Sequence, residues 1–157
     1  MNINKKIVSV LKKKKLTISF AESCTGGMLS NNITSVSGSS KIFSMGLVTY
    51  SNQSKTIILK ISKKLIKKYG AVSIQCCSAM VNNLSKISKS KICISTTGIA
   101  GPTGGSKEKP VGLVFIGIKF KKKVYVHKII FKNRGRKYIQ KKILKKIFEL
   151  LTKLLNV

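Results

Sequence analysis

The chain has 157 residues, 43% of them hydrophobic, and 32 lysines and arginines against three acidic residues, for a formal charge of +29. That length suits one domain able to bury roughly 70% of its unfolded surface, and the ordinary apolar fraction separates it from disordered polycations, which combine charge with low hydrophobicity. A basic tail is excluded as well, because the charge runs from Lys5 to Lys153.

Ile3, Ile7, Val10 and Leu11 recur at helical spacing between lysines and predict a short amphipathic helix over residues 3–14. Leu16 to Ser23 reads as a strand ending in Thr25-Gly26-Gly27, after which Met28, Leu29 and Ile33 suggest a helix. A second strand, Met45 to Tyr50, follows the turn around Gly38. Leu65, Ile66 and Tyr69 share a face of a lysine-rich helix, and Val72 to Ile87 gives a longer one whose N-cap is Ser73. The β-branched run Ile92 to Thr97 stops at the glycine-rich loop Gly98 to Ser106. Val111 to Phe120 and Val124 to Phe131 then form a hairpin across Lys121, Lys122 and Lys123. A last helix carries Ile139, Ile143, Ile147, Leu150 and Leu154 as its apolar stripe. Strands alternating with helices, closed by a hairpin, predict an α/β fold: a three-layer α/β/α sandwich with a mixed sheet, one domain over residues 1–157.

The remaining composition bears on function classes. Only Arg134 and Arg136 are arginine, whereas proteins that read nucleic acid commonly use arginine for bidentate contacts, so the charge reads as a bias toward lysine and no specific nucleic-acid partner is expected. Such a surface still attracts anions. Cys24, Cys76, Cys77 and Cys93 include no CxxC pair, which speaks for reduced thiols in a cytoplasmic protein and against a zinc site. The uncharged runs are too short or too polar for a membrane span, and no metal or cofactor is expected.

Three polar segments follow three predicted strands: Ala21 to Gly27, Thr49 to Lys55, and Thr96 to Ser106. In open α/β sheets ligands bind beyond the carboxyl ends of strands, where such loops converge. Ser23, Cys24 and Thr25 stand at a strand-to-helix junction, and any of the three side chains is a candidate nucleophile. The competing reading is that Ser23 or Thr25 merely caps the next helix. His127 is the single histidine and lies in a hairpin strand, and without aspartate no Ser-His-Asp triad can form. Lysine is the base class that remains, since desolvation and neighbouring cations lower its pKa, and Lys55 is singled out beside Tyr50. The glycine segment could cradle a phosphate, although Ser106-Lys107 reverses the order a P-loop requires.

Taken together, AESCTGG (Ala21 to Gly27), GSS (Gly38 to Ser40), VTYSNQSK (Val48 to Lys55), YGAVS (Tyr69 to Ser73) and TTGIAGPTGGSKEKPVG (Thr96 to Gly112) resemble the CinA C-terminal-domain family. Its enzymatic members are nicotinamide-nucleotide amidohydrolases, and the collinear likeness runs from about residue 5 to residue 155. The resemblance implies hydrolysis of nicotinamide mononucleotide (NMN) to nicotinate mononucleotide and ammonia. It puts the serine nucleophile on Ser23, the lysine base on Lys55, and on Tyr50 a phenol that assists proton movement or holds Lys55. Amides of the Thr25, Gly26 and Gly27 turn would stabilise oxyanions, while Thr97, Gly98 and Gly101 would line the substrate site. Nearby ammonium groups would help keep Lys55 neutral. The nucleotide-pyrophosphatase domain of longer CinA proteins is not part of the likeness. The family's Gly-Asp-Arg element and a further arginine correspond to Arg134-Gly135-Arg136 and Gln140, with Arg136 the better match for a phosphate ligand. The implied partner is a small nucleotide, with no membrane, and a homo-oligomer is compatible with it. A basic nucleic-acid-binding protein or an inactive member on the same fold are the competing functions.

Overall fold

In the computed structural model, which describes residues 3–157, the chain forms α1 (Ile3–Lys14), β1 (Ile18–Glu22), α2 (Met28–Thr34), β2 (Phe43–Val48), α3 (Asn52–Leu59), α4 (Lys63–Tyr69), α5 (Ile74–Ser88), β3 (Ile92–Gly98), β4 (Leu113–Phe120), β5 (Lys123–Ile130) and α6 (Arg136–Leu155). The five strands lie in the order β2-β1-β3-β4-β5. β1 runs parallel to both β2 and β3, while β4 and β5 are antiparallel additions. The sheet is therefore mixed, as the sequence pattern implied.

The two-residue period of the strands divides the core into two layers. Ile18 and Phe20 of β1, Ile92 and Ile94 of β3, and Val114, Ile116 and Ile118 of β4 turn to one face, where α1, α2 and α6 supply Ile7, Leu11, Leu29, Ile33, Ile139, Ile143 and Ile147. Ala21 and Cys93 turn the other way and meet Leu59 of α3, Ile66 of α4 and Met80, Val81 and Leu84 of α5. Fully burying each Leu, Ile or Phe is worth about 1.5–3 kcal/mol, so these layers hold the sandwich together against its own charge. The one ion pair among the described residues, Lys146 to Glu149 at 3.8 Å, is exposed and contributes little. Gly117 is required where α5 crosses the sheet, because a Cβ there would collide with Ser95 Oγ and come within 3.3 Å of the Cys77 carbonyl.

Three elements differ from the sequence expectation. The stripe of α6 continues in steps of four through Leu151 and Leu155, leaving Leu150 and Leu154 as half-buried flanks. Lys123 pairs with Phe120, so the hairpin turn is only Lys121-Lys122, both with positive φ (50° and 69°), the twist that two-residue hairpins favour. Residues after Tyr50 form α3 rather than a loop. Its N-cap Ser51 accepts from the Ser54 amide, but Ile57 and Ile58 are exposed, so no apolar stripe announces the helix.

Candidate active site

β1, β2 and β3 are parallel, so their carboxyl ends share one edge of the sheet, and the antiparallel β4 begins there. The chain leaves β1 for β2 on one side and later returns to β3 on the other, which makes the end of β1 a topological switch point. A cavity of about 290 Å³ opens at this edge and is lined by Ser23, Cys24, Tyr50, Asn52, Lys55, Thr97, Gly98, Gly101 and Arg136, among others. Residues from all three loops thus meet around one space. Thr25, Gly26 and Gly27 are not among its walls.

Ser23 follows the last residue of β1 and is anchored by its amide, which donates to the Thr96 carbonyl at 3.1 Å. The question whether it caps α2 is answered by Glu22. This fully buried carboxylate accepts from the amides of Gly27, Leu29 and Ser30 and from the Ser30 hydroxyl, at 2.8–3.1 Å. A carboxylate at the positive end of a helix satisfies its orphan N–H groups, and neither Ser23 nor Thr25 has to. Thr25 Oγ1 instead pairs with Thr96 Oγ1 at 2.9 Å. Glu22 was legible as an acid in AESCTGG, but only the intervening tight turn brings it back to amides five to eight residues on, at the start of α2.

Lys55 lies in the first half of α3 and is only 1% exposed. Its Nζ has three oxygens in reach: Ser23 Oγ at 3.0 Å, the Thr49 carbonyl at 2.8 Å and the Tyr50 carbonyl at 3.2 Å. Among the described residues no carboxylate pairs with it. Burial pushes its pKa below the usual lysine range, opposed by the thiols of Cys76 and Cys24. The expectation that nearby ammonium groups keep it neutral is corrected: desolvation is the cause. Two carbonyls and one hydroxyl also match a neutral amine, whose two N–H groups point to the carbonyls and whose lone pair accepts from the serine. Such a pair can move a proton from the hydroxyl to the amine.

Burial raises the Cys24 thiol to about 12, against hydrogen bonds from its own backbone and Thr96 and the charges of Lys55 and Arg136. A thiol held protonated is a poor nucleophile. The Gly26 amide closes the turn onto the Ser23 carbonyl at 3.0 Å, and the Gly27 amide is taken by Glu22. Neither is a donor for an oxyanion, contrary to expectation. Ala100 and Gly101 line the cavity, and Thr97 Oγ1 donates to the Ala71 carbonyl at 2.8 Å.

Tyr50 touches Lys55 through its carbonyl, not its phenol. The phenol oxygen accepts from Arg136 at 2.6 Å, and the other arm of that guanidinium donates to the Gly101 carbonyl at 2.9 Å. Arg136 at the start of α6 therefore ties the loop after β2 to the glycine loop after β3 across the cavity mouth. Arg134 lies over the Tyr138 ring instead and is not among the cavity walls. His127 sits in mid-β5 opposite Ile116, two strands across from β3 and not among the cavity walls, with its pKa lowered by burial and by Lys146. Among the described residues no cluster of three or more His, Cys, Asp or Glu side chains is arranged to hold a metal, and no helix is long and apolar enough to cross a membrane.

The sequence matches the CinA C-terminal domain over residues 1–155. A protein of Thermoanaerobacter pseudethanolicus described as competence-damage inducible is 49% identical over 124 residues, covering 79% of this chain and 30% of the relative. A CinA-like protein of Prochlorococcus marinus is 53% identical over 112 residues, 71% of this chain and 26% of its own length. The chain thus spans about a third or less of the curated relatives it matches. The crystal structure of the competence/damage inducible protein CihA from Agrobacterium tumefaciens superposes with a TM-score of 0.93 at 35% identity, over 99% of this chain and 94% of that one. A CinA superfamily protein from Escherichia coli gives 0.90 at 26% identity, over 99% and 89%. Sequence and architecture agree, and the chain belongs to the CinA C-terminal domain family.

Proposed function

We propose that this protein hydrolyses the carboxamide of nicotinamide mononucleotide, releasing nicotinate mononucleotide and ammonia, by a Ser-Lys mechanism. The observation that supports this reading best is the 3.0 Å contact between Ser23 Oγ and a buried Lys55 amine that has no carboxylate partner among the described residues. The names of the relatives speak of competence and damage, so the reading rests on the site and on the resemblance of its motifs.

Neutral Lys55 takes the Ser23 proton as Oγ attacks the carboxamide carbon. The Lys55 ammonium then protonates the departing nitrogen, the C–N bond breaks, and ammonia leaves an ester on Ser23. Water attacks that ester, giving its proton to Lys55. The second oxyanion collapses, Ser23 recovers its proton, and the carboxylate product leaves. The amide of Cys24, the residue after the nucleophile and a wall of the cavity, is the first choice for the oxyanion donor, in exchange for its resting contact with the Cys24 thiol. With Lys55 neutral, Arg136 is the cationic side chain on the cavity wall, which suits an anionic mononucleotide. Arg136, which also donates to the Gly101 carbonyl, is the candidate phosphate ligand. This chemistry requires no nucleic acid or membrane partner, and the four free thiols suit a cytoplasmic setting.

The decisive assay supplies NMN to the purified protein and follows nicotinate mononucleotide and ammonia in equal amounts. Ser23→Ala should abolish turnover. Wild-type protein that leaves NMN intact, or a Ser23→Ala variant with full activity, would remove the basis for this assignment.

A further inference from the structure

Ser23, Cys24, Thr25 and Gly26 form a tight turn closed by the 3.0 Å bond from the Gly26 amide to the Ser23 carbonyl. Its central peptide joins Cys24 to Thr25. In turns of this kind the two common forms differ by a flip of that peptide, which exchanges the positions of its C=O and N–H. The flipped form needs a positive φ at the third residue, here Thr25, whose φ is not positive, so the turn is in the unflipped form.

One side chain holds this peptide from outside the turn. Gln140, one turn beyond Arg136 on α6, donates from Nε2 to the Cys24 carbonyl at 3.0 Å across 116 residues of sequence. Gln140 itself is not a wall of the cavity, whereas Cys24 is. The carbonyl dipole is therefore drawn toward α6, and the opposite end of the peptide faces away from it. Anchoring this carbonyl also fixes the backbone on both sides of Cys24, including the amide that follows the nucleophile.

We infer that Gln140 is a positioning residue: its hydrogen bond to the Cys24 carbonyl holds the Ser23–Gly26 turn in the form that keeps the carbonyl's negative end away from the developing oxyanion. This deepens the amidase reading and rests on it. Loss of one aligned oxyanion donor costs about 10²–10³ in kcat, and a loosened turn should cost part of that, roughly 10- to 100-fold.

The test compares wild type, Gln140→Leu, which keeps bulk but donates nothing, and Gln140→Arg, which restores an N–H donor. Two readouts are taken: kcat and KM for NMN, and the rate at which a fluorophosphonate labels Ser23, a reaction that also passes through an oxyanion. The expected result is a 10- to 100-fold fall in kcat and in labelling rate for Gln140→Leu, with KM within about threefold of wild type and an unchanged melting temperature, and recovery in Gln140→Arg. Unchanged rates in Gln140→Leu, a rise in KM alone, or equal losses in both variants would overturn the inference. If wild type is labelled at Ser23 but leaves NMN intact, the substrate reading fails and the labelling rates alone judge Gln140. If wild type does neither, Ser23 is not an activated nucleophile and both ideas fall.

Discussion

Lys55 Nζ sits 3.0 Å from Ser23 Oγ, and its other two contacts are main-chain carbonyls, not acids. A lysine in that setting has nothing to gain from remaining charged except three dipoles, and burial works against the charge. Replacing it separates base from bulk. Lys55→Met should lower kcat by about 10²–10⁴, the usual range for a lost general base. Lys55→Arg, which stays protonated at any working pH, should be as poor. Steady-state ammonia release from NMN measures both, and near wild-type turnover in Lys55→Arg would show that no free base is needed at this position.

The same residue sets a pH dependence. Because the folded-state pKa of Lys55 is lowered, kcat/KM should rise with pH through that depressed value and level off below the ordinary lysine range. Stability follows the same sign. Between the folded and unfolded pKa values the unfolded chain binds the extra proton, so this group's contribution grows as pH rises through that window and is lost below it. Urea unfolding of wild type and Lys55→Met at several pH values isolates the contribution, since the other lysines are common to both. A difference that is flat with pH, or that runs the other way, would mean Lys55 is charged in the folded protein.

Much of this site was legible because its pieces are local. Ala21 to Gly27 announces a strand-to-helix turn through its glycines, and Thr97 to Gly101 announces a strand end, so both loops could be located from turn chemistry alone. The sheet pattern then implied that they meet. What stayed hidden depends on contacts between distant segments or on helices without periodicity. α3 has two exposed isoleucines and a lysine as one of its two buried residues, so hydrophobic spacing could not show it. The role of Glu22 as cap, of the Tyr50 carbonyl rather than its phenol beside Lys55, and of Gln140 on the Cys24 carbonyl are pairings that no spacing rule encodes. The charge was the loudest signal and bears least on the chemistry: it is spread over exposed lysines, and the lysine that matters is buried.

Arg136 and Tyr50 form the clasp over the cavity mouth, and their substitution should act on binding before chemistry. A planar fork reaches the Gly101 carbonyl and the Tyr50 phenol together, which a single ammonium cannot reproduce. Arg136→Lys should therefore raise KM for NMN by about tenfold, the worth of one charge-assisted hydrogen bond of roughly 1.5 kcal/mol, with a smaller change in kcat. Tyr50→Phe removes the phenol and leaves the carbonyl on Lys55, so KM should again shift more than kcat. If kcat for Tyr50→Phe falls by a hundredfold or more at constant KM, the phenol carries a proton and its bond to Arg136 is secondary.

Glu22 gives the strongest stability prediction, because its carboxylate is fully buried and accepts three amides and a hydroxyl at the start of α2. Glu22→Ala leaves those donors in a dry environment, and with about 1–3 kcal/mol for each unsatisfied group the partly relaxed loss should be at least ~3 kcal/mol. Glu22→Gln keeps the shape but turns an NH2 group toward amides that need an acceptor, so it should lie between Ala and wild type. Denaturant midpoints rank the three. The Ser23 turn hangs on this cap through the Gly27 amide, so fluorophosphonate labelling of Ser23 should slow in the folded Glu22→Gln protein as well. A variant that keeps its midpoint would show that water replaces the carboxylate at little cost; one that loses stability but labels at the full rate would show that the cap holds α2 without positioning the nucleophile.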